Sequence, residues 1–92
     1  MTGHYVMLTK PDCKWCEAAK VLIEAKDEGV ELRTFEVKKG DPLRDFMLAL
    51  NLDTVPQIWW VEKEYGAAHI GGYNELVTLY ETEATLDDQA SD

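Results

Sequence analysis

The chain has 92 residues, 46% of them apolar, and carries a formal net charge of −9. A chain of this length makes one domain that buries about 60–65% of its unfolded surface, with no room for a second core. The acidic balance argues against nucleic acid, whose binders need a basic face to displace counterions, and no apolar run is long enough to span a membrane.

Taken in chain order, residues 5–9 are β-prone and apolar on both faces, which predicts a central strand. Lys10-Pro11-Asp12 follows as a loop. Over residues 17–28, Ala19, Leu22, Ile23 and Ala25 fall on one side, with Glu17, Lys20, Glu24, Asp27 and Glu28 largely on the other. That spacing predicts an amphipathic helix, ended by Gly29. Residues 31–37 read as a second strand, closed by Lys38, Lys39 and Gly40. Asp41-Pro42 supplies an N-cap and a proline for the first helical position, and Leu43, Phe46, Met47 and Leu50 fit one face of the helix that follows.

A third strand over residues 57–61 comes after Val55-Pro56. The polar connection 62–66 returns through residues 67–70, which makes a hairpin rather than a crossover. Gly71-Gly72 breaks that strand, and residues 73–80 form a last helix. The expected architecture is α/β, a four-stranded mixed sheet flanked by three helices in the order β-α-β-α-β-β-α, with a right-handed crossover between the two parallel strands. The domain is expected over residues 1–82. Residues 83–92 read as an acidic, disordered tail, since residues 81–92 hold five acidic residues and no basic one.

Both cysteines of the chain lie in Cys13-Lys14-Trp15-Cys16, between the first strand and the first helix. A Cys-x-x-Cys serves equally as a redox dithiol or as half of a tetrahedral zinc site, but zinc wants four ligands. His4 and His69, each alone in its segment, are the only other imidazoles or thiols. The dithiol is the better reading, and no metal is expected. At the start of a helix, unpaired N–H groups and the positive end of the macrodipole favour a thiolate. Lys10 and Lys14 act in the same direction, and Asp12 opposes them. Cys13 is thus the expected nucleophile and Cys16 the resolving thiol. The N-terminal residues lack the basic-then-apolar pattern of a secretory signal, so the expectation is a soluble cytoplasmic protein, in which such a pair is more often catalytic than structural. His4, His69, Trp59 and Trp60 are read as ordinary strand residues, and Lys38-Lys39 as a solvated turn.

A Cys-x-x-Cys beside a βαβ pattern is thioredoxin-like. Three separated blocks sharpen this: Thr9-Lys10-Pro11-Asp12-Cys13-Lys14-Trp15-Cys16, Thr54-Val55-Pro56-Gln57-Ile58, and Ile70-Gly71-Gly72-Tyr73-Asn74-Glu75-Leu76. Together they resemble a dithiol glutaredoxin across roughly residues 4–82. The resemblance implies glutathione as co-substrate, and reduction of protein disulfides and protein–glutathione mixed disulfides as the activity. It implies a role in electron transport and cell redox homeostasis, a monomer, and clients that include ribonucleotide reductase. A thioredoxin-like donor recharged by a reductase and an iron–sulfur-binding glutaredoxin are the alternatives.

By the same resemblance, Lys10 meets the glycine carboxylate of glutathione, with Arg44 as a second polar contact. Trp15 walls the site. Thr54, Val55 and Pro56 form a cis-proline loop that pairs with the cysteinyl part of glutathione. Gly72, Tyr73 and Asn74 open a helix that holds the γ-glutamyl carboxylate. Three departures from the family pattern stand out: Lys14 for proline, Trp15 for tyrosine, and Asn74 where an aspartate is usual, which removes a charge partner for the γ-glutamyl ammonium.

Overall fold

The alternation of β-prone runs and amphipathic segments resolves into seven elements. In the computed structural model these are β1 His4–Thr9, α1 Lys14–Lys26, β2 Leu32–Glu36, α2 Pro42–Ala49, β3 Gln57–Glu62, β4 Gly66–Gly71 and α3 Tyr73–Ala90. The structure describes residues 3–90, with side chains described through Thr82. The sheet order is β2-β1-β3-β4. β1 pairs parallel with β2 and antiparallel with β3, and β3 pairs antiparallel with β4. The architecture is the expected thioredoxin-like one, with β1 inside the sheet as its two-faced apolarity required.

Strand alternation sends Tyr5 and Met7 to one face, where they meet Ala19 and Ile23 of α1, Ile58 of β3, and Leu76 and Tyr80 of α3 in the main core. The opposite face is thinner. There Val6, Leu8, Phe35, Trp59 and Val61 meet Leu43 and Phe46 around an apolar cleft of about 280 Å³. Of the apolar face expected on α2, Met47 alone is fully buried, while Phe46 and Leu50 are 50% and 48% exposed. An eight-residue helix has just over two turns, and Leu50 is already its C-cap, outside the helical periodicity. The Asp41 and Pro42 signals hold: Asp41 Oδ1 accepts the Leu43 N–H at 3.0 Å, and Pro42 is the first helical residue.

Two helix bounds differ from the expected ones. α1 begins at Lys14 rather than 17, because Cys13 itself is the N-cap. α3 runs to Ala90 rather than stopping at 80, in keeping with the good helix formers among residues 81–90. The expectation of a disordered 83–92 tail falls on residues 91–92, outside the described residues, and on 83–90, whose side chains are likewise outside them. A bulge interrupts the hairpin: Ile58 pairs with Gly71 but Trp59 with His69, which leaves Ile70 as the extra residue. No helix is long and apolar enough to cross a membrane among the described residues.

Candidate active site

β1 ends at Thr9, and the loop turns back through Asp12, whose φ of 56° is left-handed. Cys13 then takes an extended conformation as the N-cap of α1. Its Sγ accepts the Cys16 N–H at 3.1 Å, so a helix-end donor is aimed at the sulfur. The two cysteines are joined as a disulfide with their Cα atoms 5.2 Å apart, and the dithiol is therefore in its oxidised form. Cys13 is 8% exposed and Cys16 3%. Both residues are thus buried, Cys16 the more deeply. Trp15 stands 54% exposed beside them, with the Lys14 ammonium 5.7 Å from its ring centre. Its ring also lies 5.3 Å from that of Tyr73, which ties the start of α1 to the start of α3.

The second block closes from the other side. The Val55-Pro56 peptide is cis, as the resemblance implied. Thr54 is held in place from below: its carbonyl and its Oγ1 accept from Gln57 Nε2 at 3.0 and 3.3 Å, and Gln57 Oε1 lies 2.8 Å from His69 Nε2. Gln57 is buried, and His69, expected only as an ordinary strand residue, joins it in supporting the site. Their support for the loop arises from β3–β4 pairing and has no local signature.

The third block supplies the remaining wall. At Gly71, with φ +120°, a Cβ would come within 2.9 Å of the Glu75 side chain, and at Gly72 it would sit 3.4 Å from the Pro56 carbonyl oxygen. The backbone conformation of Gly71 requires glycine, while Gly72 brings the start of α3 into van der Waals contact with the cis-proline. Glu75 reaches back so that its Oε1 accepts the Gly72 N–H at 2.8 Å, half of a capping box. A Glu three residues after a helix start is a recognisable sequence signal for this contact.

These walls enclose a groove of about 300 Å³ lined by Trp15, Thr54, Val55, Pro56, Gly72, Tyr73, Asn74 and Glu75. Seven of these are residues expected to bind a ligand. Lys10 and Arg44 lie elsewhere: they line a larger groove of about 790 Å³ together with Lys38, Lys39, Gly40, Asp53 and other residues of the β2–α2 region. Thr54 and Val55 border both grooves and join them. Among the described residues no three His, Cys, Asp or Glu side chains gather as metal ligands.

Comparison with known proteins gives the same picture. The model of the family described as Glutaredoxin matches residues 5–65. Among solved structures, the solution structure of a glutaredoxin from Brucella melitensis superposes with a TM-score of 0.63 at 28% identity, covering 92% of this chain and 85% of that one. Thioredoxin O2 from Arabidopsis thaliana in its oxidised state superposes with a TM-score of 0.50 at 20% identity, covering 88% and 74%, and shares the fold. A search of curated protein sequences found no match.

Proposed function

The chain belongs to the glutaredoxin family, and we propose that it is a thiol–disulfide oxidoreductase that uses glutathione as its reductant. One observation carries the reading: the Cys13-Cys16 pair at the head of α1 lies beside a groove whose walls are the cis-proline loop and the head of α3. A disulfide exchange needs a thiolate and a means of aligning the attacked sulfur with it.

In the reduced protein, the Cys13 thiolate is stabilised by the Cys16 N–H and by the positive end of α1. On a protein–glutathione mixed disulfide it attacks the glutathione sulfur, forms a Cys13–glutathione disulfide and expels the client thiolate. A second glutathione thiolate then attacks that sulfur, which frees Cys13 and leaves as glutathione disulfide. On a protein disulfide, Cys13 forms a mixed disulfide with the client. The Cys16 thiolate then attacks Cys13 Sγ, and the second client thiolate leaves with the electron pair. Two glutathione thiols reduce the resulting Cys13–Cys16 disulfide.

The glutathione backbone pairs with Val55, whose N–H and C=O have no hydrogen-bond partner among the described residues. The γ-glutamyl carboxylate lies at the head of α3, by the N–H groups of Tyr73 and Asn74. The ammonium beside it meets Glu75, which supplies one residue later the charge that Asn74 lacks. The glycine carboxylate extends across Val55 toward Lys10, with Arg44 beyond. Reduction of a glutathione–hydroxyethyl mixed disulfide, coupled to glutathione reductase, tests the reading. Turnover supports it. Failure of glutathione to recharge a protein that a thioredoxin reductase does recharge overturns it.

A further inference from the structure

The groove beyond Val55 has a charge out of keeping with the rest of the molecule. In a chain with 18 acidic and 9 basic side chains, four of the basic ones, Lys10, Lys38, Lys39 and Arg44, line this one groove, against the carboxylates of Asp45 and Asp53. None of the four cations makes an ion pair or a side-chain hydrogen bond among the described residues. The nearby Asp41 carboxylate is engaged by the Leu43 N–H. Three of the four are lysines exposed on the rim, so their charges are free to meet a ligand. At about 790 Å³ the groove is more than twice the volume of the one beside the cysteines. A tripeptide whose glycine carboxylate stops at Lys10 leaves Lys38 and Lys39 unmatched.

From this geometry we infer that the Lys38-Lys39 groove receives client proteins, and that it selects disulfides whose cysteine is followed in sequence by acidic residues. The inference rests on the glutathione reading above, because that reading sets the chain direction. With the γ-glutamyl end at α3 and the glycine end at Lys10, a client cysteine that replaces the cysteinyl residue along Val55 sends its own following residues past Lys10 into the basic groove. Acidic side chains there find unpaired cations on a protein whose net charge would otherwise repel them. The residues preceding the client cysteine run the other way, past the head of α3 toward Asn74 and Glu75, where no lysine or arginine lines the groove to receive acidic side chains. The electron bookkeeping is that of the protein-disulfide cycle already described, with the dithiol oxidised and the client disulfide reduced to two thiols.

The test uses the full chain, reduced beforehand, and three short peptides presented as disulfide-linked dimers: one with two glutamates following the cysteine, one with two glutamates preceding it, and one neutral. Each second-order rate is divided by the rate with uncharged dithiothreitol, which removes the intrinsic reactivity of each disulfide. The peptide with following glutamates is expected to react about three- to tenfold faster than the neutral one, as two exposed ion pairs allow, and the advantage should fade at high salt. Lys38→Ser/Lys39→Ser, confined to an exposed turn, should erase the advantage and leave turnover of the glutathione–hydroxyethyl disulfide unchanged. Lys38→Glu/Lys39→Glu should invert it. Equal rates for the two acidic peptides, or an advantage that survives in both lysine variants, overturns the inference. If the peptide preference is present but glutathione fails to recharge the protein, the groove stands and the glutathione reading falls. A protein that reduces none of these disulfides overturns both.

Discussion

The two ends of α1 carry polar cap residues whose side chains have opposite fates. At the head, Cys13 Sγ accepts the Cys16 N–H, beside an exposed Trp15 and an open groove. At the tail, Asp27 is the C-cap, and its Oδ2 accepts hydroxyl hydrogens from Tyr5 and, at 2.9 Å, from Tyr80. The Tyr80 hydroxyl oxygen also lies 3.1 Å from that of Tyr5, and both tyrosines are buried in the core. Each end thus holds a polar cap on the same helix. The Cys13 sulfur lies beside a groove that a substrate can enter, whereas the half-buried Asp27 carboxylate is engaged by two buried hydroxyls and fixes β1, α1 and α3 together. The comparison teaches that exposure does not separate the two ends, since Cys13 is the more buried residue; what sets it apart is a sulfur at the N-terminus of the helix.

The largest expected effect is at the head. Cys13→Ser should abolish exchange with every disulfide, yet leave the melting temperature of the reduced protein nearly unchanged, since serine is a good N-cap. Cys16→Ser should keep much of the activity on glutathione mixed disulfides and lose that on protein disulfides. Equal loss of both activities in the two variants would break the division of labour between the thiols.

At the tail the pattern should reverse. Asp27→Ala removes the acceptor that the Tyr5 and Tyr80 hydroxyls share, and should cost about 2–4 kcal/mol of stability, read by denaturant unfolding. Exchange rates measured well below the melting temperature should be unaffected. A parallel fall in activity would mean that the two ends are coupled through α1.

A pH effect belongs to the same end. Burial first, then the hydrogen bonds to Tyr5 and Asp27, push the Tyr80 hydroxyl above its ordinary value. The folded state therefore holds this proton more tightly than the unfolded one. Its contribution to stability is complete below about pH 10, where the unfolded phenol begins to ionise, and declines as the pH rises beyond that. Tyr80→Phe should flatten this alkaline decline; an unchanged slope would assign it to other groups.

The smallest effects are expected around the ligand at the head. Lys10→Ala should raise KM for the glutathione mixed disulfide by about two- to fivefold, the range of an exposed ion pair worth up to about 1 kcal/mol, with kcat less affected. Glu75→Gln should act similarly and only on substrates that carry a γ-glutamyl group. If a disulfide lacking that group responds equally, Glu75 serves the capping of α3 alone.

Much of this was legible in the order of residues. The seven elements, the Asp41-Pro42 helix start and the cis bond at Val55-Pro56 all follow from local chemistry or from three blocks in register. Less legible was α2, where helical periodicity put Phe46 on a buried face that the short helix does not reach. Glu75 carries a local capping signal, three residues after the Gly72 cap. Gln57 and His69 carried none, because their support of Thr54 depends on the pairing of two strands.

By itself the sequence determined what is set within a few neighbours: the apolar periods, the caps, the glycines at the turn into α3, and a cysteine pair at a helix start. Hydrogen bonds and torsions between adjacent residues decide these, so they are written locally. Tertiary structure alone decided what depends on chain crossing. Tyr80 meets Tyr5 across 75 residues, Thr54 and Val55 join the cysteine groove to a basic one, and Lys10 comes to share that groove with Lys38, Lys39 and Arg44. Exposed charges have no period and gain almost nothing from their own segment, so only the sheet, by bringing the end of β1 beside the end of β2, could gather them into one surface.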